Sequence, residues 1–431
     1  MPWTFASTIG TEIGLVGLSF LTGMLSARWL GPEGRGEFAV ILLWPNVIAA
    51  VGNLGIRDAL VYYQAKGEHQ QSLLDTTALL LALVQSGILV GIGLLLVPYL
   101  TRSQSASVQR LSLQFLAFIP LNLLALYMLG LLRGQLNIYA YNAIRISVNV
   151  IYLGSMGALW LLNAVNLQNL TYALLAANLV TASWATGRAI WNGGLTRGMD
   201  FPFIRALFGY GVRNHLGSIS NMLNQRLDQM LMAVVLSPSE LGWYVVAVSS
   251  SGFVNLVSRT LAVFTFPKVA GAQGKSVSRQ LVGVYSRINI TGTLLMGAAL
   301  MVVLPWAIPF IYTPAFKPSI LPAEILVIAT MFLAIGQNWA AAFQGDGQPI
   351  MLAKAEGISL LVTLAGLTIL LPLFGITGAA LASVLAYGTS MIYLFIHLLQ
   401  NWEISQAAVL TPLMPSHLID IIKIQIQTKQ K

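Results

Sequence analysis

The sequence predicts an all-α polytopic membrane protein of about twelve transmembrane helices, arranged as two six-helix lobes with pseudo-two-fold symmetry around a central cavity. Three observations predict it. Hydrophobic residues make up 56% of the 431 positions and charged residues only 9%, against ~25% charged in an ordinary soluble domain. Apolar runs long enough to cross the ~30 Å hydrocarbon layer recur along the whole chain. Polar residues inside two of those runs fall on single helical faces, and such a face must avoid lipid, because an ionised group at mid-bilayer costs at least ~2.5 to 3.5 kcal/mol.

The apolar runs lie at about 5–27, 38–61, 77–100, 111–132, 146–163, 170–187, 206–235, 241–264, 288–312, 321–343, 351–372 and 376–399. In the first, Thr8, Glu12, Ser19, Thr22 and Ser26 share one face at 100° per residue, and Arg28 closes the run. The stretch WLGPEGRGEFAV (29–40) then reads as a short outside turn, with Pro and Gly breaking one helix before the next. The second run carries Pro45, expected to kink it as a packing bend or a gating hinge, and Asn46, Asn53 and Arg57 along one face. Residues 62–76 read as a solvated connection. The third and fourth runs are apolar apart from Gln85, and the fifth sets Arg145, Asn149, Tyr152 and Met156 on one side. Arg145 is expected as an inside-loop anchor in preference to a phosphate ligand.

Residues 188–213 are Gly- and Arg-rich and mark the lobe boundary; their 201–213 part suits the interface of an anionic leaflet before a turn into the seventh run. That run contains NHLGSISNMLNQRLDQMLM (214–232). Asn214, Ser218, Asn221, Gln225 and Asp228 fall on one face, with Gln229 beside them and Arg226 at the edge. The eighth run places Ser251, Asn255 and Ser258 together, followed by Arg259. The loop expected at 266–281 contains GKS, but Val269 stands where a Walker sequence needs Gly, which argues against nucleotide binding. The last four runs are apolar except for Pro305, Pro309 and the cluster Gln337, Asn338 and Trp339. An amphipathic tail is expected at 401–431.

The halves echo each other. Shifting the polar face of the first run by 206 residues lands on Asn214, Ser218, Gln225, Asp228 and Met232, and WLGPEGRGEFAV aligns at the same offset with VLSPSELGWYVV (235–246), Pro32 on Pro238 and Gly36 on Gly242. A second echo, offset by 211, joins 133–145 to 344–356 and sets Arg145 on Glu356. An internal duplication follows, with an N-terminal lobe at 1–200, a C-terminal lobe at 201–400 and the tail at 401–431. Of the 23 Lys and Arg residues, seventeen fall on inside loops and tail and five outside if the N-terminus is cytoplasmic, so both termini are expected in the cytoplasm. The first run lacks a basic n-region and a cleavage site and is expected to be retained.

The net charge of +9 is scattered among loops, so nucleic acid is not an expected partner. Cysteine is absent and the four histidines are isolated, so neither a metal nor another cofactor is expected. No nucleophile elbow or acidic catalytic cluster is found, so the chain does not read as an enzyme.

The turn WLGPEGRGEFAV, Pro45 with Asn46, and NQRLDQMLM resemble the polysaccharide flippases of the multidrug/oligosaccharidyl-lipid/polysaccharide exporter superfamily. The resemblance implies alternating-access transport of undecaprenyl-diphosphate-linked oligosaccharides such as O-antigen units, across the bacterial inner membrane, for lipopolysaccharide or other surface polysaccharide. Partners implied are that substrate, membrane lipids and a polysaccharide polymerase or assembly complex. Arg226, Asn221, Gln225, Asn214, Ser218, Ser19, Thr22, Arg57, Asn53, Arg28, Arg259 and Asn255 become the substrate-binding candidates, the amides and hydroxyls for glycan and the arginines for diphosphate. Asp228 and Glu12 become candidates for proton or ion coupling. The first helix offers Glu12 where lipid II flippases present arginines, which favours an O-antigen-type or exopolysaccharide carrier. The rival readings are an organic-cation antiporter of the same superfamily, a membrane-embedded glycosyltransferase or ligase, and a scaffold.

Overall fold

The computed structural model describes residues 2–196, 200–272, 274–348, 350–402, 404–406 and 409. The expected amphipathic tail lies outside the described residues beyond 409, as does Arg197. Thirteen α-helices follow one another with no strand among the described residues. They are α1 (Pro2–Gly52), α2 (Ile56–Lys66), α3 (Gln71–Leu100), α4 (Ala106–Gln114), α5 (Phe118–Gly134), α6 (Ile138–Leu161), α7 (Leu167–Gly193), α8 (Phe201–Val235), α9 (Pro238–Ser251), α10 (Asn255–Ala270), α11 (Lys275–Ile311), α12 (Ile320–Gly345) and α13 (Ile350–Trp402). Among the described residues, eight helical segments are long and apolar enough to cross a membrane. Leu95, Trp306 and Phe310 are 79–84% exposed on them, as side chains that meet lipid should be.

Two of the thirteen helices are each divided in two at a glycine. α1 breaks at Gly31 (φ 69°, ψ −176°) and α13 at Gly375 (φ 54°, ψ −136°), positive-φ conformations open to residues without a Cβ. Pro32 restarts the helix immediately after the first break, where its missing N–H costs nothing. The break sits there and not at Pro45, through which the torsions stay helical. The helix expected at 38–61 also ends earlier, at Gly52. Asn53 occupies the turn and Arg57 lies in the first turn of the separate α2, so the two do not continue the face of Asn46.

The connection after α8 is built differently. Ser237 and Glu240 exchange hydrogen bonds as a capping box: Glu240 Oε2 accepts from the Ser237 amide at 3.0 Å, and Ser237 Oγ accepts from the Glu240 amide at 3.4 Å. α8 itself is a single 35-residue helix capped by Asp200, whose carboxylate accepts from the Phe203 amide at 3.1 Å. The expected turn between an interfacial 201–213 and a separate span is therefore absent. The loop expected at 266–281 is likewise mostly helix, since α10 runs to Ala270 and α11 starts at Lys275.

The chain forms two compact units: residues 1–219 with 230–242, and residues 220–229 with 243–431. In the first, Phe38, Tyr152, Met156, Leu170 and Ala177 form a buried cluster between α1, α6 and α7. The end of α1 is pinned by Gln85, which donates to the Gly52 carbonyl at 2.6 Å and accepts from the buried hydroxyl of Tyr127. Replacing Gln85 by Leu strands the Gly52 carbonyl and leaves the Tyr127 hydroxyl only its 3.4 Å bond to the Asn53 carbonyl, and an unsatisfied buried polar group costs ~1–3 kcal/mol. A Gln85→Leu variant is expected to melt several degrees lower in detergent, and an unchanged melting curve would show that this bond contributes little.

In the first unit the echoed segments also touch. A Cβ placed on Gly36 would lie 1.7 Å from the Pro238 carbonyl oxygen and 3.0 Å from the Gly242 amide nitrogen. One on Gly242 would lie 2.0 Å from the Pro32 oxygen and 3.1 Å from the Gly36 nitrogen. The contact is reciprocal, each glycine facing the proline and glycine that align with its own.

The second unit centres on α12. Asn338 donates to Thr265 at 3.0 Å, Trp339 to Ser286 at 2.9 Å, and Ser258 and Asn289 both donate to the Ala334 carbonyl. The polar interruption of the tenth run is thus helix-packing material.

Candidate functional site

The polar face of the first helix meets α6 in the first unit. Glu12 Oε1 accepts from Arg145 Nη1 at 2.7 Å, and Ser19 Oγ donates to Asn149 Oδ1 at 3.4 Å, so residues four apart on α6 take partners seven apart on α1. The Arg145 guanidinium also lies 5.1 Å from the centre of the Tyr141 ring. Arg145 therefore anchors a helix pair and Glu12 is ion-paired. Thr22 is buried and turned back onto its own helix, donating to Leu18 and Ser19 carbonyls at 3.0 and 3.1 Å.

The second-helix candidates divide. Asn53 spends its amide on the turn, donating to Ala50 at 2.8 Å and accepting from the Gly55 amide at 3.0 Å. Arg57 is half-buried, with its backbone oxygen 3.0 Å from where a Cβ on Gly130 would lie. Arg28 is exposed. Arg35, read from the sequence as an outside-loop residue, lies instead within α1, its guanidinium 3.9 Å from a Cβ placed on Gly23.

On α8 the side chains of Asn214, Ser218 and Asn221 lie outside the described residues. Gln225 is half-buried. Arg226 is exposed and donates to Gln229 Oε1 at 3.0 Å, one turn further on. Among the described residues it makes no salt bridge with a carboxylate. Asp228 is buried in the second unit, where Oδ2 accepts from the Tyr244 hydroxyl at 2.5 Å and Oδ1 from the Gln229 amide at 2.7 Å. These two donors offset part of the cost of desolvating a carboxylate.

One turn before Asp228 stands a residue absent from the expected set. Asn224 donates to Glu356 Oε2 at 3.1 Å and to Ser359 Oγ at 2.7 Å, and accepts from Thr363 Oγ1 at 2.8 Å; all four residues are buried. Glu356, noted in the sequence only as the echo of Arg145, is thus a second buried acidic residue in this unit. On the eighth span, Asn255 is buried with its side-chain oxygen lacking a partner among the described residues, and Arg259 is exposed.

These residues offer an ion-paired carboxylate, a buried carboxylate on a tyrosine, a guanidinium held by a neutral amide, and hydroxyls and amides on two helices. Such an inventory suits binding and relay.

Comparison with known proteins agrees in kind. The profile of a family described as polysaccharide biosynthesis protein matches residues 25–321. A probable low-salt glycan biosynthesis flippase, Agl15 of Haloferax volcanii, is 24% identical over 383 residues, covering 87% of this chain and 79% of that protein. Among solved structures, the lipid II flippase MurJ in an inward closed conformation superposes with a TM-score of 0.76 at 12% identity, over 95% of this chain and 90% of that one. An inward-facing multidrug resistance MATE family transporter gives 0.73 at 13%, over 90% and 94%.

Proposed function

Because the chain belongs to the polysaccharide biosynthesis protein family, with the two-lobe fold shared by MurJ and MATE transporters, we propose that it flips lipid-linked oligosaccharides across the membrane by alternating access. The substrate in this reading is an undecaprenyl-diphosphate-linked repeat unit of the O-antigen or exopolysaccharide type, carried across a bacterial plasma membrane with both chain termini cytoplasmic. Residues 1–200 and 201–400 supply the two lobes in this reading, six crossings each.

The observation that carries the proposal is Arg226. Its hydrogen bond runs to the neutral amide of Gln229, so its charge remains available to an anionic diphosphate, which a guanidinium grips through two parallel bonds. Amides and hydroxyls such as Gln225 and Ser19 suit the glycan, whose hydroxyls need both donors and acceptors. Native mass spectrometry of the detergent-purified protein with an undecaprenyl-diphosphate oligosaccharide tests this. Wild type is expected to retain the lipid and Arg226→Ala to weaken it by roughly tenfold, the effect of losing a charge-assisted bond. Equal retention by both would remove Arg226 from the site.

Asp228 is the coupling carboxylate in this reading, since Glu12 is held by Arg145. A buried carboxylate is costly when charged and easily neutralised, so proton uptake from one side and release to the other can bias the transport cycle. Asp228→Asn is expected to keep substrate binding and to abolish the acceleration of transport by an imposed pH gradient. Gradient-driven transport that survives in this variant would move the coupling elsewhere. The MATE-like fold favours one rival, an organic-cation antiporter, which would export cations and leave lipid-linked sugar unmoved.

A further inference from the structure

Away from these helix faces, the first unit holds a second polar site where the end of α2 meets the start of α8. A cavity of ≈590 Å³ is lined there by Tyr63, Ala206, Gly209, Tyr210 and Arg213, a size within the ~300–1,000 Å³ range of small-molecule sites. Its aromatic wall is ordered. Tyr62 stacks on Tyr210 with centroids 4.5 Å apart and planes 16° apart, Tyr63 stands edge-on to Phe203 at 5.4 Å, and His69 lies 4.2 Å from Phe203.

The polar atoms of this cavity are uncommitted. Among the described residues, no hydrogen bond or ion pair engages the Arg213 guanidinium or the hydroxyls of Tyr63 and Tyr210. The neighbouring cation, Lys66, is by contrast spent on Glu68 at 2.7 Å, a hydrogen bond that holds its proton and raises its pKa. Nothing in the substrate reading above uses Arg213, Tyr63 or Tyr210.

A ligand that satisfies all three features must carry an anionic group for the guanidinium, a ring with an apolar face for the tyrosines, and hydroxyls for the phenols. Inorganic phosphate meets only the first. A phosphoglycerol lipid headgroup has no ring to lay against the aromatic wall. A pyranose phosphate meets all three, since the C–H face of a sugar packs on an aromatic ring while its equatorial hydroxyls reach outward. We infer that this cavity is a glycosyl-phosphate site, built wholly from the first unit, which receives the headgroup of the lipid-linked saccharide. The inference rests on the flippase reading and adds a docking point to it.

Saturation-transfer NMR on the detergent-purified full chain tests it, with glucose 1-phosphate, inorganic phosphate and methyl glucoside as probes and phosphatidylglycerol as competitor. Wild type is expected to bind glucose 1-phosphate roughly tenfold more tightly than either fragment. Arg213→Gln is expected to reduce that affinity to the level of methyl glucoside and Tyr210→Ala to the level of inorganic phosphate. Equal affinity for glucose 1-phosphate and inorganic phosphate would overturn the inference, as would displacement of glucose 1-phosphate by phosphatidylglycerol. Loss of binding in Arg226→Ala but not in Arg213→Gln would also overturn it. The flippase reading is judged separately, on movement of lipid-linked saccharide by wild type. Movement that is present while these variants bind as wild type does would remove the docking point alone.

Discussion

Substituting Gly36 by Ala is expected to force the two echoed segments apart and to slow transport by roughly tenfold or more. The new methyl would sit 1.7 Å from the Pro238 carbonyl oxygen, and this neighbour is backbone, with no rotamer to turn away. Overpacking of this kind costs ~1–3 kcal/mol when the structure must shift, enough to depopulate the arrangement seen here by one to two orders of magnitude. Gly242→Ala is expected to act the same way, because its methyl would meet the Pro32 oxygen at 2.0 Å. The chain has no cysteine, so a spin-label pair at Glu33 and Ser239 reads the separation directly. Both variants should shift the distance distribution to longer values. An unchanged distribution in either would show that the contact yields locally.

The second large effect is expected from Asn224→Ala. One amide bridges Glu356, Ser359 and Thr363, and its removal leaves buried polar atoms short of partners at ~1–3 kcal/mol apiece. A total near 3 kcal/mol follows, seen as a large drop in thermal midpoint of the detergent-purified protein. Ser19→Ala is the control. Its bond to Asn149 is long, at 3.4 Å, and exposed, so the midpoint should stay within about a degree of wild type. Equal midpoints for Asn224→Ala and wild type would mean that the second unit does not depend on this hub.

Much of the architecture is legible in the sequence because bilayer thickness fixes the length of an apolar run and Gly and Pro punctuate it. The breaks at Gly31 and Gly375 fall at or between expected runs for this reason. Other boundaries fail where hydropathy is a poor guide. α11 begins at Lys275, thirteen residues before its apolar stretch, because a helix can continue past the hydrocarbon as a polar rod. α8 likewise runs unbroken from Phe201 through Arg205 and Arg213. The capping box of Ser237 and Glu240, with Pro238 between them, is by contrast a local sequence signal that marks the start of α9.

The candidate site was legible in composition but not in pairing. Glu12 and Arg145 each stand out as charges near membrane runs, yet 133 residues separate them and only packing shows that they neutralise each other. Asn224 falls about 40° beyond Asp228 on a helical wheel, off the polar face, and its partners lie 132 to 139 residues away. Arg35 falls in the stretch 29–40 that reads as an outside turn, but the break is confined to Gly31 and leaves it on a helix.

In the proposed cycle a lipid-linked sugar passes the Arg226 cation within the membrane. The most direct measurement reconstitutes the protein in liposomes with a labelled undecaprenyl-diphosphate oligosaccharide and follows exposure of the label on the opposite leaflet, with organic-cation efflux recorded in parallel. Wild type should expose the label, Arg226→Ala should slow that exposure by roughly tenfold, and neither should export the cation. Cation efflux without sugar movement would contradict the account and make the protein a drug antiporter.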